Sequence, residues 1–187
     1  MNTSAKIYVQ RGAFVAYYSR ALPLKVYIGL DKKLESHPQL ILLDGDYQID
    51  SDLSLFTVRD ASRCYSEAND TLYAGDLRDN FSHEQNLIIQ EEKAALVMDC
   101  GHTGIVNIME RAKQYPPALC VGGYHLFNPS TKKTVSAELL GEIAKELKQY
   151  PLTQFYTCHC TGTEAFDFLA QQMPNMSYLS CGETVEL

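Results

Sequence analysis

Basic residues are scarce in this chain: 16 Lys and Arg stand against 23 Asp and Glu, for a formal net charge of −7. Nucleic-acid backbones are neutralised by clustered cations, so this balance argues against a general nucleic-acid binder and disfavours an anionic membrane surface. A small anionic ligand is still allowed, because the charge inside a cleft decides that question. Long apolar runs are also missing. None approaches the ~20 residues of a membrane span, and Lys6 and Gln10 interrupt the only apolar stretch near Met1, so no signal-peptide core is present. The cytoplasm is the expected location. GxxxxGKS/T, GxGxxG and GxSxG do not occur, which leaves a phosphate loop, a dinucleotide fingerprint and a serine-hydrolase elbow without support. No repeat, low-complexity segment or linker divides the 187 residues, so residues 1–187 are expected to form a single domain.

What is present is an ordinary globular balance, 45% hydrophobic and 21% charged. Six cysteines (Cys64, Cys100, Cys120, Cys158, Cys160 and Cys181) would allow three disulfides. In a reducing compartment they are expected as free thiols or metal ligands.

The hydrophobic pattern orders the chain. Residues 5–9 read as a strand, residues 13–18 as a helical turn before Pro23, and residues 39–46 as a strand closed by Asp-Gly. Residues 48–58 alternate through Ile49, Leu53, Leu55 and Val58, as one or two half-buried strands do. Residues 59–83 are polar, with turn signals at Asn69-Asp70, Gly75-Asp76 and Asp79-Asn80. A loop of that length is usually functional or disordered. Residues 86–90 and 94–98 predict a hairpin, residues 105–114 a helix, residues 118–122 a strand and residues 136–150 a helix. Residues 153–157 predict a strand and residues 163–172 a helix, and residues 178–180 and 184–187 predict short closing strands. The alternation in the C-terminal half is α/β organisation.

Three histidines follow the ends of predicted strands: His102 in DCGHTG, His125 in GGYHL and His159 in CHCTG. Strand ends feeding Gly-rich loops are where α/β proteins assemble sites, because backbone approaches ligands closely there and side chains converge. Imidazole and thiolate are ligands for zinc, and imidazole also suits iron. One such histidine is more often structural, but three at equivalent places point to a site. Cys158 and Cys160 flank His159 too closely for a clamp of their own, since adjacent side chains diverge along a strand, and both read as packing. Cys100 reads equally well as a small buried hydrophobe. His37, before a proline, reads as surface.

The segments DCGHTGIVNIMERAK, VGGYHLFNPS, YTCHCTGTEA and the closing LSCGETVEL resemble the metallo-β-lactamase superfamily. The resemblance is to the branch related to dihydropterin–ribofuranosyl-aminobenzene phosphate synthase. It extends back through FSHEQNLII and KVYIGLDKKL to AKIYVQRGAF. It implies an αββα sandwich with a metal site, often binuclear, at one edge between the sheets. The superfamily's HxHxDH motif is absent, and residues 1–10 look like the strand that follows it. The expectation is therefore an incomplete sandwich, N-terminally truncated, holding the C-terminal two thirds of the fold.

By this resemblance His102, His159 and His125 look like metal-site histidines, and His83 stands where many members carry a further ligand. Cys100, Thr103, Gly123 and Thr161 are the candidate substrate-binding residues. The implied cofactor is a divalent metal, with zinc first and iron or manganese as alternatives. The implied activity is hydrolysis of a small molecule through a metal-bound water, impaired by the missing ligands. The expected partners are a small-molecule substrate and either a second copy or an N-terminal partner segment. Two other readings stand beside this one: a non-catalytic binding or oligomerisation module, and a thiol redox protein using Cys158 and Cys160. The second lacks the helix N-terminus that activates such thiols.

Overall fold

Apolar residues that alternate along the C-terminal strands fall into register across a sheet. In the computed structural model, which describes residues 2–21 and 23–186, Ile88 pairs with Leu96, Leu96 with Cys120, Cys120 with Phe155 and Phe155 with Met176. The first four are 0% exposed, so one continuous buried row crosses five strands. Fully burying a Leu, Ile or Phe side chain stabilises by about 1.5–3 kcal/mol. A one-residue slip would turn the whole row to the opposite face, so the register is strongly specified.

The sheet has seven strands in the order Met176–Tyr178, Gln154–Thr157, Pro117–Gly122, Ala94–Val97, Asn86–Gln90, Leu53–Phe56 and Tyr47–Gln48. The first four run parallel and the remaining pairings are antiparallel. Helices make the parallel crossovers: α1 (Ile105–Ala112), α2 (Ala137–Leu147) and α3 (Thr163–Gln172). Their apolar stripes pack on the buried row through Ile105, Ile108 and Met109, then Leu140, Ile143 and Leu147, then Ala165 and Leu169. Ser136 caps α2 by accepting the Leu139 amide at 3.3 Å, the usual service of a serine at that position.

This arrangement positions the site. Val97 pairs with Val121 and Gly122 with Thr157, so three parallel strands end along one edge. The loops carrying His102, His125 and His159 all leave from that edge.

The N-terminal part differs from the sequence expectation. Residues 13–18 do not form a helical turn of their own. A 3-10 turn at Arg11–Phe14 comes first, and Tyr17–Ala21 is a strand paired antiparallel with Leu24–Tyr27 and with Leu72–Ala74. Aromatic residues drive this pairing, with Tyr18 edge-on to Tyr27 at 5.6 Å. Leu77–Arg78 completes that four-stranded sheet, and Ile7–Gln10 pairs in parallel with Leu40–Leu43. The polar stretch 59–83 is therefore structured, holding a 3-10 turn (Glu67–Thr71) and a hairpin. The closing strand is Met176–Tyr178; residues 184–186 form none, and Leu187 lies outside the described residues. Among the described residues no helix is long and apolar enough to cross a membrane.

Candidate metal centre

The three loops are stitched to one another by backbone. The Gly123 amide donates to the Asp99 carbonyl at 2.7 Å, the Leu126 amide to the Cys160 carbonyl at 3.2 Å and the Tyr124 amide to Thr161 Oγ1 at 3.0 Å. His125 and His159 sit in the left-handed region, at φ 45° and 23°. For non-glycine residues this costs on the order of 1–3 kcal/mol, and such strain concentrates at functional sites.

His102 is held from both sides. Its Nδ1 lies 3.0 Å from Asn69 Oδ1, while Asn69 Nδ2 donates to the His102 carbonyl at 2.9 Å. The amide nitrogen is committed to the carbonyl, so the amide oxygen accepts and His102 Nδ1 carries a proton. Nε2 is then the ring nitrogen that carries no proton in the neutral form. The Glu84 carboxylate takes three donors from the same turn: the His102 amide at 2.8 Å, the Thr103 amide at 3.0 Å and Thr103 Oγ1 at 3.0 Å. Phe81 stacks on the His102 ring with centroids 4.7 Å apart and planes 9° from parallel.

His125 also packs against His102, ring centroid to ring centroid 4.0 Å and tilted by 45°. It is 8% exposed, and neither of its ring nitrogens has a hydrogen-bond partner. Each unpaired buried polar group costs about 1–3 kcal/mol, so this ring is set up for something the protein itself does not supply. Burial, and then the nearby His102, depress its pKa to about 4, which keeps it neutral at physiological pH.

Next to this pair is a second convergence. Cys100 Sγ lies 3.3 Å from His159 Nε2, and the donor atoms of Cys100, His159 and Cys160 all fall within 4.8 Å of one another. Gly123 makes room for them. A Cβ there would stand 2.4 Å from Cys160 Sγ and 2.9 Å from His159 Nε2, so only glycine fits. Cys158 Sγ lies 3.1 Å from His159 Nδ1. The Cys100 thiol is pulled far below its usual range, first by hydrogen bonding from Cys160, then by His102 and, against burial, by His159. The same bond, with burial, pushes Cys160 up. Burial opposes a charge on His102, yet the bond to Cys100 and the charges of Glu84, Cys100 and Asp79 outweigh it and raise that pKa. A thiolate, a thiol and imidazoles packed this closely can trade protons for a metal cation. The orphaned His125 nitrogens and the cradle at Gly123 fit such an ion.

The edge thus brings together His102, His125, His159 and Cys100. His83 stands one layer behind. It packs on Tyr17 at 4.3 Å between ring centroids, and its Nδ1 is buried 3.8 Å from the Asp79 carboxylate. Burial first, and then His102, lower its pKa against the opposing pull of Asp79 and Glu84. Thr103 is 2% exposed and bound to Glu84, and Thr161 is 0% exposed and bonded to Tyr124 and Thr157, so both hold loops. One expectation is corrected. Cys160 is not mere packing, because the chain turns sharply through His159–Thr161 and brings its sulfur back to Cys100. The sequence marks Asn69 and Asp79 only as turn signals in a long polar loop, and nothing singles out Glu84 just beyond it. All six cysteines are free.

No family model matches the chain. An uncharacterised protein of Methanocaldococcus jannaschii is 25% identical over 189 residues, which are 97% of this chain and 68% of that protein. The solved structure of a metal-dependent hydrolase of the β-lactamase superfamily superposes with a TM-score of 0.79 at 20% identity, over 98% of this chain and 72% of that one. The chain has the metallo-β-lactamase fold. A second structure, the isothiocyanate hydrolase from Delia radicum gut bacteria, aligns at a TM-score of 0.51 and 13% identity, covering 83% of this chain and 62% of its own. The M. jannaschii 7,8-dihydropterin-6-methyl-4-(β-D-ribofuranosyl)-aminobenzene-5'-phosphate synthase is 27% identical over 117 residues, 58% of this chain and 37% of the synthase. That similarity agrees with the branch suggested by the histidine motifs. In this metallo-β-lactamase fold the His and Cys donors gather where the parallel strands end.

Proposed function

We propose that this chain is a metal-dependent hydrolase acting on a small molecule, with zinc as its ion. One observation carries the reading: His125 presents two buried, unpartnered ring nitrogens against His102, beside the convergence of Cys100, His159 and Cys160. Cys100, His159 and Cys160 would hold the ion, with His102 and His125 at its side. Thiolate and imidazole donors favour zinc over manganese, with iron as the alternative. When bound, such an ion lowers the pKa of a coordinated water and polarises a carbonyl or phosphoryl oxygen.

The chain's own residues supply the rest. Asn69 fixes the proton of His102 on Nδ1 and leaves Nε2 free to act as an acceptor or ligand. Glu84 holds the His102–Thr103 turn rigid, and Phe81 shields the ring from water on its open face. Thiols kept as ligands need a reducing compartment, so the cytoplasm is the proposed location.

Plasma mass spectrometry of the purified chain tests this, beside a His102→Ala/His159→Ala variant, followed by a screen of phosphoesters and lactones. About one zinc per chain in the wild type, lost in the variant, is the expected result. A metal-free wild type would sink the reading. A second reading, a binding or oligomerisation module, rests on the apolar edge strand Leu24–Tyr27, where every residue is exposed.

A further inference from the structure

We infer that Cys100 and Cys160 form an oxidation site for hydrogen peroxide, closing to a reversible disulfide that leaves the centre unable to hold its ion. The effect on the ion rests on the metal-dependent reading above; the disulfide itself does not.

The two sulfurs come from loops that follow Ala94–Val97 and Gln154–Thr157, the strands on either side of Pro117–Gly122. Strands two places apart in a sheet lie about 9–10 Å from each other. That is too far for a disulfide, whose Cα atoms stand about 4.4–6.8 Å apart. Two features close the gap. His159, at φ 23°, turns the chain back toward the middle strand. Gly123, which follows that strand, has no Cβ to block the crossing; such an atom would stand 2.4 Å from Cys160 Sγ. As a result the Cys160 thiol donates to the Cys100 carbonyl at 3.5 Å, and the two sulfurs lie within 4.8 Å of each other. Rotation about the two Cα–Cβ bonds is the movement that brings them to the ~2 Å of an S–S bond. The backbone stays in place meanwhile, tied by the Gly123 amide to Asp99 and by the Leu126 amide to Cys160.

Both cysteines are free and half-buried, and Asp99 and His159 beside them are exposed, so a small peroxide reaches the sulfurs. The other thiols are placed differently: Cys120 is sealed in the core, and Cys158 Sγ is turned to His159 Nδ1 at 3.1 Å. One sulfur of the pair attacks a peroxide oxygen. An S–O bond forms, the O–O bond breaks, and the released hydroxide takes the thiol proton to become water. The second sulfur then displaces the hydroxyl from the first, forming the S–S bond, and that hydroxyl leaves with the second thiol proton as another water. The two cysteines lose two electrons and the peroxide gains them. A thiolate carries the negative charge that binds zinc, and a disulfide sulfur does not. Two of the three converging donors are therefore lost together, leaving His159 and the neighbouring imidazoles.

The test is hydrogen peroxide treatment of the zinc-loaded full chain. Released zinc is read with a chromogenic chelator, and bonds are mapped by mass spectrometry of unreduced peptides. Two of the six thiols should disappear, a Cys100–Cys160 cross-linked peptide should form, and about one zinc should leave per cross-link. Dithiothreitol should restore the thiols and zinc uptake. Cys158→Ser should give the same cross-link, and Cys160→Ser should give none. A cross-link through Cys158 or Cys181, sulfinic acid without a disulfide, or zinc retained by the cross-linked chain would overturn the inference. The Cys100–Cys160 cross-link in a chain that takes up no metal would uphold the oxidation site and remove the hydrolase reading.

Discussion

Asn69 grips His102 at two points, donating to its carbonyl at 2.9 Å and accepting from its Nδ1 at 3.0 Å. The two bonds together fix both the ring's orientation and its tautomer, the task that outer partners of metal-binding histidines perform. Asn69→Leu should therefore weaken zinc binding by about 10–100-fold, the usual cost of losing such a partner. Asn69→Asp keeps the acceptor and should fall between. A competitive chelator titration reads the affinity, and nitrogen NMR of the His102 ring reads the tautomer. Unchanged affinity in Asn69→Leu would show that His102 needs no orienting partner.

Gly123 makes a sharper case, because nothing about it is chemical. Its missing Cβ is the space in which Cys160 Sγ and His159 meet, at 2.4 and 2.9 Å from where that atom would stand. Gly123→Ala must push the sulfur or the ring away, at about 1–3 kcal/mol by the usual cost of overpacking. Urea denaturation should show that loss, and metal analysis should show the ion gone. A variant of wild-type stability with full zinc content would mean that Cys160 and His159 do not share an ion.

How much of this was legible beforehand depends on whether a residue sits in a pattern. Ile88, Leu96, Cys120 and Phe155 belong to short apolar runs, and the strands and the α/β alternation followed from them, while the strand order came only with the structure. His102, His125 and His159 stood out because each follows such a run. Asn69 and Glu84 did not, since a polar residue in a polar stretch has no periodicity to violate, and their partner lies 33 and 18 positions away. Cys160 was misread for a geometric reason. Alternation holds along a strand, but the strand ends at Thr157 and His159 at φ 23° reverses the chain. Tyr17–Ala21 and Leu24–Tyr27 were missed because their residues are mostly half or fully exposed, so no buried face marks them.

The pH dependence of stability should carry a signature of His125. Its pKa is about 4 when folded against 6.5 when exposed, so between those values the unfolded chain binds more protons. Stability from this group is complete above 6.5 and is lost as pH falls toward 4. His102 has the opposite sign, since its raised pKa contributes at low pH and fades as pH rises through it. A comparison with His125→Asn, a residue that tolerates positive φ, isolates the first effect. Acidification across that window should cost the metal-free wild type more than the variant, by at most about 3 kcal/mol. Equal losses in urea titrations would mean that His125 is solvated.

The edge strand Leu24–Tyr27 pairs on one side only, with Tyr17–Ala21, among the described residues. Leu24 and Val26 are 66% and 53% exposed and, two positions apart, share one face, while Lys25 turns over the Tyr18 ring at 4.0 Å. Open strand edges bearing apolar side chains are templates for pairing with another chain, and lysine is the natural guard against it. The wild type should therefore associate as concentration rises in sedimentation velocity, through two copies of this strand. Leu24→Lys/Val26→Lys should remain monomeric with its metal content unchanged, because the strand lies outside the His and Cys cluster. A wild type that stays monomeric throughout would rule out the edge as an interface between copies. Association that persists in the double variant would place the interface elsewhere.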